Sequence, residues 1–271
     1  LGVLGVALGT LASQFISALL VYLSLTRTTH IYHLNPKKIT FDGPMLRRIV
    51  VIGLPAGLQS VLYSISNIII QSSINGFGTN AAAAWTAYSK IDGLFWMIMS
   101  AFGVAITTFS GQNFGAGQYD RMRKSVRVCM GMSAGTAVFL SVTLFFGGSF
   151  IYRLFTDDPE VIAEGMMILR LLVPFYITYV AIEILSGAMR GTGDSLVPMV
   201  ITCVGICVLR AAWIMVAVPF WPDIRNVCLS YPVTWTATSL FFAAYYLQGG
   251  WLRRRIAKAR EAEEAAQAAA S

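Results

Sequence analysis

The chain has 271 residues, of which 56% are apolar and 12% charged, and its mean hydropathy is +0.66. Soluble domains carry about twice that share of charge, so the composition excludes a water-soluble globular domain and requires the bilayer as solvent. A net charge of +7 and a pI near 9.4 do not argue for nucleic acid, because the basic residues lie between apolar stretches and not on one polar face.

Seven stretches are long and apolar enough to cross the hydrocarbon core, which takes about 20 helical residues. The first, Leu1–Leu25, has no Lys or Arg before Arg27 and exceeds a signal-peptide core, so it reads as a span of a chain that begins within a longer gene product. Residues 26–48 form a polar link with the turn pairs Asn35-Pro36 and Gly43-Pro44. Its end, Met45–Ile52, is expected to lie along the inner membrane surface with Arg47 and Arg48 at head-group level. The other spans follow as Ile49–Ile74, Ala81–Phe109, Ser125–Leu154, Ala163–Met189, Leu196–Phe220 and Val227–Leu247, a six-helix lobe over 49–247. Pro174 should loosen the fifth span, and Pro55, Pro198 and Pro232 should add bends or breaks. Residues 248–271 form a tail expected on the cytoplasmic side, of which Arg253–Ser271 is a basic, then Ala/Glu-rich, helix-former read as solvated. Backbone polar groups in lipid must pair internally, and no short alternating strands suggest a barrel, so the fold class is an all-α polytopic bundle.

Loop charge orients the spans. Arg27, Lys37, Lys38, Arg47, Arg48, Arg121, Arg123, Lys124, Arg127, Arg190, Arg253, Arg254, Arg255, Lys258 and Arg260 fall on one side, and only Arg153 and Arg225 on the other. The basic side is expected to be cytoplasmic, with the C-terminus inside a plasma or inner membrane and the basic groups near lipid head groups.

Ionisable groups inside spans are costly and mark function by default. Lys90, Asp92, Arg170, Glu183 and Arg210 qualify, although Arg170 is near enough to the outer end of its helix to snorkel. Asp92 and Arg210 each lie roughly 15 Å deep by helical rise and are expected to form a charge pair, with Glu183 the second-choice partner. Gln59, Tyr63, Asn67 and Gln71 recur every four residues, either the wall of a wet cavity or a seam of interhelical hydrogen bonds. Trp85, Tyr88, Asp92, Trp96 and Met99 share a face, where aromatic rings and a carboxylate suit an organic cation or simply pack. Tyr176, Tyr179 and Glu183 repeat that pattern on the fifth span. Cys129, Cys203, Cys207 and Cys228 read as small hydrophobes, and the solvated His30 and His33 complete no metal motif.

Two basic-side helix ends carry glycine-rich motifs: Gly111-Gln112-Asn113-Phe114-Gly115-Ala116-Gly117, followed by Arg121, and Arg190-Gly191-Thr192-Gly193-Asp194-Ser195. Together with Gly2-Val3-Leu4-Gly5-Val6-Ala7-Leu8-Gly9-Thr10 and Ile52-Gly53-Leu54-Pro55-Ala56-Gly57-Leu58-Gln59, their order and spacing resemble the multidrug and toxic compound extrusion (MATE) family. The resemblance covers Leu1–Trp251. It implies the last helix of an N-terminal lobe (1–25), an interlobe link (26–48) and a six-helix C-terminal lobe, with the other helices of a twelve-helix transporter preceding this chain. The implied activity is efflux of organic, mainly cationic, compounds by alternating access, without a cofactor, in exchange for H+ or Na+. Some members carry a carboxylate partway along the helix matching Ile49–Ile74. Here Tyr63 stands near that place, so protons are the preferred ion.

A flippase of related fold for lipids or lipid-linked glycans is the nearest rival. A seven-helix receptor is set aside because the count of seven follows from truncation. An intramembrane aspartyl protease, suggested by Tyr119-Asp120 and Gly191-Thr192-Gly193-Asp194, is set aside because Asp120 lies in a basic loop. The chain is therefore not expected to be an enzyme.

Overall fold

The computed structural model describes residues 2–29, 33–36, 40–257, 259 and 261. Leu1, His30, Lys37, Lys38, Lys258, Arg260 and the tail beyond 261 lie outside the described residues. The chain divides into two compact units, Leu1–Ile49 and Val50–Ser271. Its helices include seven spans long and apolar enough to cross a membrane.

In the first unit, α1 (Gly2–Arg27) is a 26-residue helix whose large apolar side chains, Leu8 and Phe15 among them, are exposed. Thr10 and Thr26 turn their hydroxyls back onto the helix's own carbonyls, Thr10 to Val6 at 2.9 Å and Thr26 to Tyr22 at 2.9 Å, so these two need no water. The described part of the link ends at Asp42, whose Oδ1 accepts the amide of Met45 at 2.9 Å and caps the start of α2 (Gly43–Asn75). Met45–Ile52 is the first part of this continuous helix. The cap and the helix-compatible Pro44 at its start explain why. α2 also runs unbroken through Pro55.

In the second unit, α3 (Thr79–Gly115) and α4 (Tyr119–Tyr152) have 37 and 34 residues, well beyond a hydrocarbon crossing. The fifth span is split, as Pro174 suggested. α5 (Pro159–Leu172) leads through a 3₁₀ turn at Val173–Phe175 into α6 (Tyr176–Gly191). Ser141 of α4 donates to the Val173 carbonyl at 2.7 Å, which satisfies an acceptor in this break. The sixth span is α7 (Leu196–Thr202), a π-helical segment Cys203–Val208, and α8 (Leu209–Phe220). α7 contains Pro198 within its run, and α9 (Ile224–Leu247) continues through Pro232, so the expected breaks at these prolines are absent. Asp158 and Asp223 cap α5 and α9 by accepting the amides of Glu160 and Arg225.

The centre of this unit is the contact between α3 and α6. Lipid gives apolar side chains no reason to leave it, so helix association depends on close packing of small residues. Gly103 and Gly111 of α3 and Gly187 and Gly191 of α6 lie in this seam. A Cβ on Gly187 would stand 3.0 Å from the Gly103 carbonyl, and one on Gly191 would stand 2.9 Å from Ser110 Cβ. Outward faces are apolar, as Val104, Val138, Phe146 and Leu240 show.

Candidate functional site

A cavity of about 860 Å³ opens within the second unit, walled by α2, α3, α6, α8 and α9. The polar stripe of α2 forms one wall: Gln59, Tyr63, Asn67 and Gln71 all line it. Four-residue spacing holds them on one side of a helix whose other side chains, such as Leu54, Leu58, Val61 and Ile68, are apolar and exposed. Gln71 also donates to Asn75 Oδ1 at 2.8 Å, so the stripe is partly self-satisfied.

The facing wall is aromatic. Trp85, Tyr88 and Trp96 of α3, Tyr179 of α6, and Tyr231 and Trp235 of α9 line it. Their rings interlock, with Trp96 4.6 Å from Tyr179 and Tyr231 5.4 Å from Trp235, centre to centre. Tyr176 is fully buried behind this layer and stacks on Phe95 at 3.9 Å, and Met99 is buried below it.

Asp92 lies in the aromatic wall. Its Oδ1 accepts hydrogen bonds from Tyr176 at 2.6 Å and Tyr88 at 3.1 Å, and its Oδ2 accepts one from Trp96 Nε1 at 2.5 Å. The expected ion pair with Arg210 is absent: no Asp92–Arg210 contact falls within 4.0 Å among the described residues. The reason is local. Tyr88 and Trp96 sit one turn to either side of Asp92 on the same helix, and three neutral donors already occupy its oxygens.

Arg210 is instead anchored by α9. Its guanidinium carbon lies 3.9 Å from the centre of the Tyr231 ring, and Nη2 donates to Thr234 Oγ1 at 3.2 Å. Glu183 is not its partner either. Glu183 accepts from the Tyr179 hydroxyl at 3.1 Å and pairs with Arg190 at 3.6 Å. These two charges also line a second pocket of about 300 Å³ with Ser100, Gly103 and Thr107. Lys90 is a correction to the expected cavity set. It is exposed and does not line the cavity, because two residues along a helix turn it to nearly the opposite side from Asp92. Arg170 is exposed beside Phe145, its guanidinium 5.9 Å from the ring centre.

This is a membrane cavity of mixed charge and aromatic lining within a bundle of spans. The MatE family model matches residues 55–216, more than half of the chain. The chain belongs to the MATE family. It is 24% identical over 262 residues to the "Probable multidrug resistance protein YoeA" of Bacillus subtilis (strain 168), covering 95% of this chain and 56% of that protein. It is 23% identical over 258 residues to the "Probable multidrug resistance protein NorM" of Thermotoga maritima, covering 94% and 55%. A crystal structure of MATE in the straight conformation superimposes with a TM-score of 0.83 at 19% identity, over 96% of this chain and 57% of that one, a likeness of fold. The chain thus spans little more than half the length of these relatives.

The two glycine-rich motifs of this MATE chain meet each other. A Cβ on Gly111 would lie 3.0 Å from the Gly191 carbonyl, so the motifs are the close-packed end of the α3–α6 seam. Gly193 has φ +81 and lets the chain leave α6, while Asp194 accepts the Val197 amide at 3.4 Å. Gly117 turns α3 into α4 at φ +69, and Asn113 is buried against the Phe109 carbonyl at 2.7 Å. A Cβ on Gly115 would meet nothing within 4 Å, and Gln112 and Arg121 are exposed, Arg121 lying 5.5 Å from the Phe109 ring centre.

Sequence reasoning missed Tyr231 and Trp235, and it treated Arg190 as part of a motif only. The i, i+4 pair Tyr231/Trp235, parallel to Ser230, Thr234 and Thr238, is the signal that marks the inward face of α9.

Proposed function

We propose that this chain is the C-terminal part of a multidrug efflux transporter, with its cavity forming half of a substrate path completed by a preceding lobe. The observation that carries this reading is the cavity wall in which Trp85, Tyr88, Trp96, Tyr179, Tyr231 and Trp235 surround Asp92 and Glu183. Flat aromatic faces accept flat organic molecules of many shapes, and ring quadrupoles with carboxylates favour cationic ones. Rocking of two lobes around such a site would expose it to each side in turn.

Coupling to protons is the preferred reading. Asp92 and Glu183 are carboxylates on the cavity wall, each hydrogen-bonded by a tyrosine hydroxyl that can donate or accept. The α2 stripe offers neutral groups only, a weak cradle for sodium. The basic faces of the loops support a cytoplasmic C-terminus.

The test is export of ethidium by the full-length protein from cells, under imposed pH or sodium gradients and normalised to membrane expression. Export driven by the pH gradient and reduced at least ten-fold in Asp92→Asn or Glu183→Gln is expected. Export that ignores both gradients would overturn the secondary-transport reading, and export driven by sodium alone would replace the proton.

A further inference from the structure

The end of the second unit that carries the glycine-rich motifs also gathers positive charge at one level. α4 has 34 residues, about 50 Å at ~1.5 Å per residue against ~30 Å of hydrocarbon, so part of it stands outside the apolar layer. Its surface shows where that layer starts. Met122 and Val126 are buried, Arg123, Lys124 and Arg127 are exposed, and Val128 is the first large apolar side chain exposed along the helix. α9 ends in the same way: its last residue, Leu247, is apolar and 80% exposed.

Beyond Leu247 the chain turns at Gly249, φ +66, into a short helix over residues 250–257. Trp251, Leu252, Arg255 and Ile256 share one side of it, within about 140° of arc at ~100° per residue, and are buried or half-buried, whereas Arg253 and Arg254 face out. The tail read as solvated is therefore docked where it begins, with Arg255 donating to the Thr192 carbonyl at 3.1 Å. Trp251 packs on Tyr246 with ring centres 5.4 Å apart, and Arg123 and Arg127 lie within electrostatic reach of the Tyr246 hydroxyl. The basic groups of α4 and of the tail thus flank one aromatic pair, at the level where the apolar surface ends. Aromatic pairs of this kind mark the membrane–water interface. Among the described residues, the only acid within 4.0 Å of these cations is Asp120, 3.9 Å from Arg123 in an exposed pair that contributes little.

We propose that this corner of α4, α9 and the tail helix is a binding surface for anionic phospholipid. Arg123, Lys124 and Arg127 from α4 and Arg253 and Arg254 from the tail take the phosphate, guanidinium groups offering it paired N–H donors. Tyr246 and Trp251 lie at the depth of the lipid's glycerol, and the acyl chains run down past Val128 and Leu247. A soluble anion would find the charge alone, whereas a phospholipid finds charge and apolar surface in the order in which it carries them. The bound lipid pins the tail helix from its outward face, while the inward face holds Thr192 at the end of α6.

The test uses full-length protein in phosphatidylcholine nanodiscs doped with phosphatidylglycerol that carries a photoactivatable diazirine near its head group. Peptide mass spectrometry should find crosslinks on residues 119–128 and 246–257, and the same probe on phosphatidylcholine should label them far less. Arg123→Gln with Arg127→Gln should raise the mole fraction of probe needed for half-maximal labelling of 246–257 by about thirty-fold, or ~2 kcal/mol at 1.4 kcal/mol per decade. Arg153→Gln with Arg225→Gln removes the same charge from the opposite end and should shift it less than about two-fold, the scatter expected of distant sites. Inorganic phosphate in excess should not compete with the probe. Wild-type labelling and its competition by unlabelled phosphatidylglycerol locate the surface without any variant, so a variant that does not fold leaves the test intact. Equal labelling by the two lipids, no labelling of these two segments, or equal effects of the two double variants would overturn the lipid surface. Competition by inorganic phosphate would overturn the lipid as occupant and assign the cations to a soluble phosphate.

Discussion

The hydroxyl of Tyr176 at the head of α6 donates a 2.6 Å hydrogen bond to Oδ1 of Asp92 on α3. The bond ties the 3₁₀ break at Val173–Phe175 to the acid in the cavity wall. A change in the break would therefore reach the acid through one oxygen, and a change in the acid's charge would reach the break.

Tyr176→Phe is expected to destabilise the full-length protein by about 1 kcal/mol, the usual worth of one such bond in a membrane bundle. Asp92→Asn should cost more, because an amide has one acceptor oxygen for three donors. Thermal unfolding in detergent measures both. A double mutant whose loss equals the sum of the two would show that this bond carries no coupling.

Gly103→Ala should impair export and Gly93→Ala should not, though both lie on α3. A Cβ on Gly103 would overlap the Glu183 carboxylate, while one on Gly93 meets nothing within 4 Å. Displacing Glu183 breaks its 3.6 Å pair with Arg190, where the two pockets share residues. Equal export by the two variants would refute the close α3–α6 seam as the cause.

Gly205→Ala should lower the unfolding temperature, and Thr238→Ala should restore part of the loss in the double mutant. The added methyl on Gly205 would collide with the Thr238 side chain across the α9 contact. Shortening Thr238 gives it room, at the cost of a 2.6 Å bond to the Thr234 carbonyl. Losses that simply add would place the damage elsewhere than in this contact.

Arg255→Ala should loosen the end of α6. Arg255 Nε donates to the Thr192 carbonyl at 3.1 Å, with Nη2 on the same oxygen, and so supplies donors to the carbonyl that closes α6, beyond the Met189 and Arg190 carbonyls that the following backbone amides already satisfy. Loss of about 1 kcal/mol would speed hydrogen exchange over residues 190–196 by roughly five-fold. Unchanged exchange would reduce this contact to a surface one.

A cysteine placed at Gln118 in a full-length background without Cys129, Cys203, Cys207 and Cys228 should react with an impermeant thiol reagent only after the cells are opened. One placed at Asp157 should react in intact cells. Gln118 and Asp157 are both exposed and lie at opposite ends of α4. The reverse pattern would invert the charge-derived topology.

Seven spans and their sequence positions were legible because hydropathy over about 20 residues is a local property of a chain in lipid. A missing amide was a weaker signal, since Pro174 lies in a break while helices run on through Pro55, Pro198 and Pro232. The stripe Gln59, Tyr63, Asn67 and Gln71 and the face Tyr88, Asp92 and Trp96 were legible for the same reason, since helical period alone puts them on one side. Which charges meet was not. Depth made Asp92 and Arg210 equal in height, but partnership depends on rotation about the helix axes. That rotation is set by glycines facing across α3 and α6 and by a π turn that no residue type announces. Only the tertiary structure therefore gave Asp92 to Tyr88, Trp96 and Tyr176, gave Glu183 to Arg190, and left Arg210 on the cavity wall with one hydrogen bond and an aromatic ring.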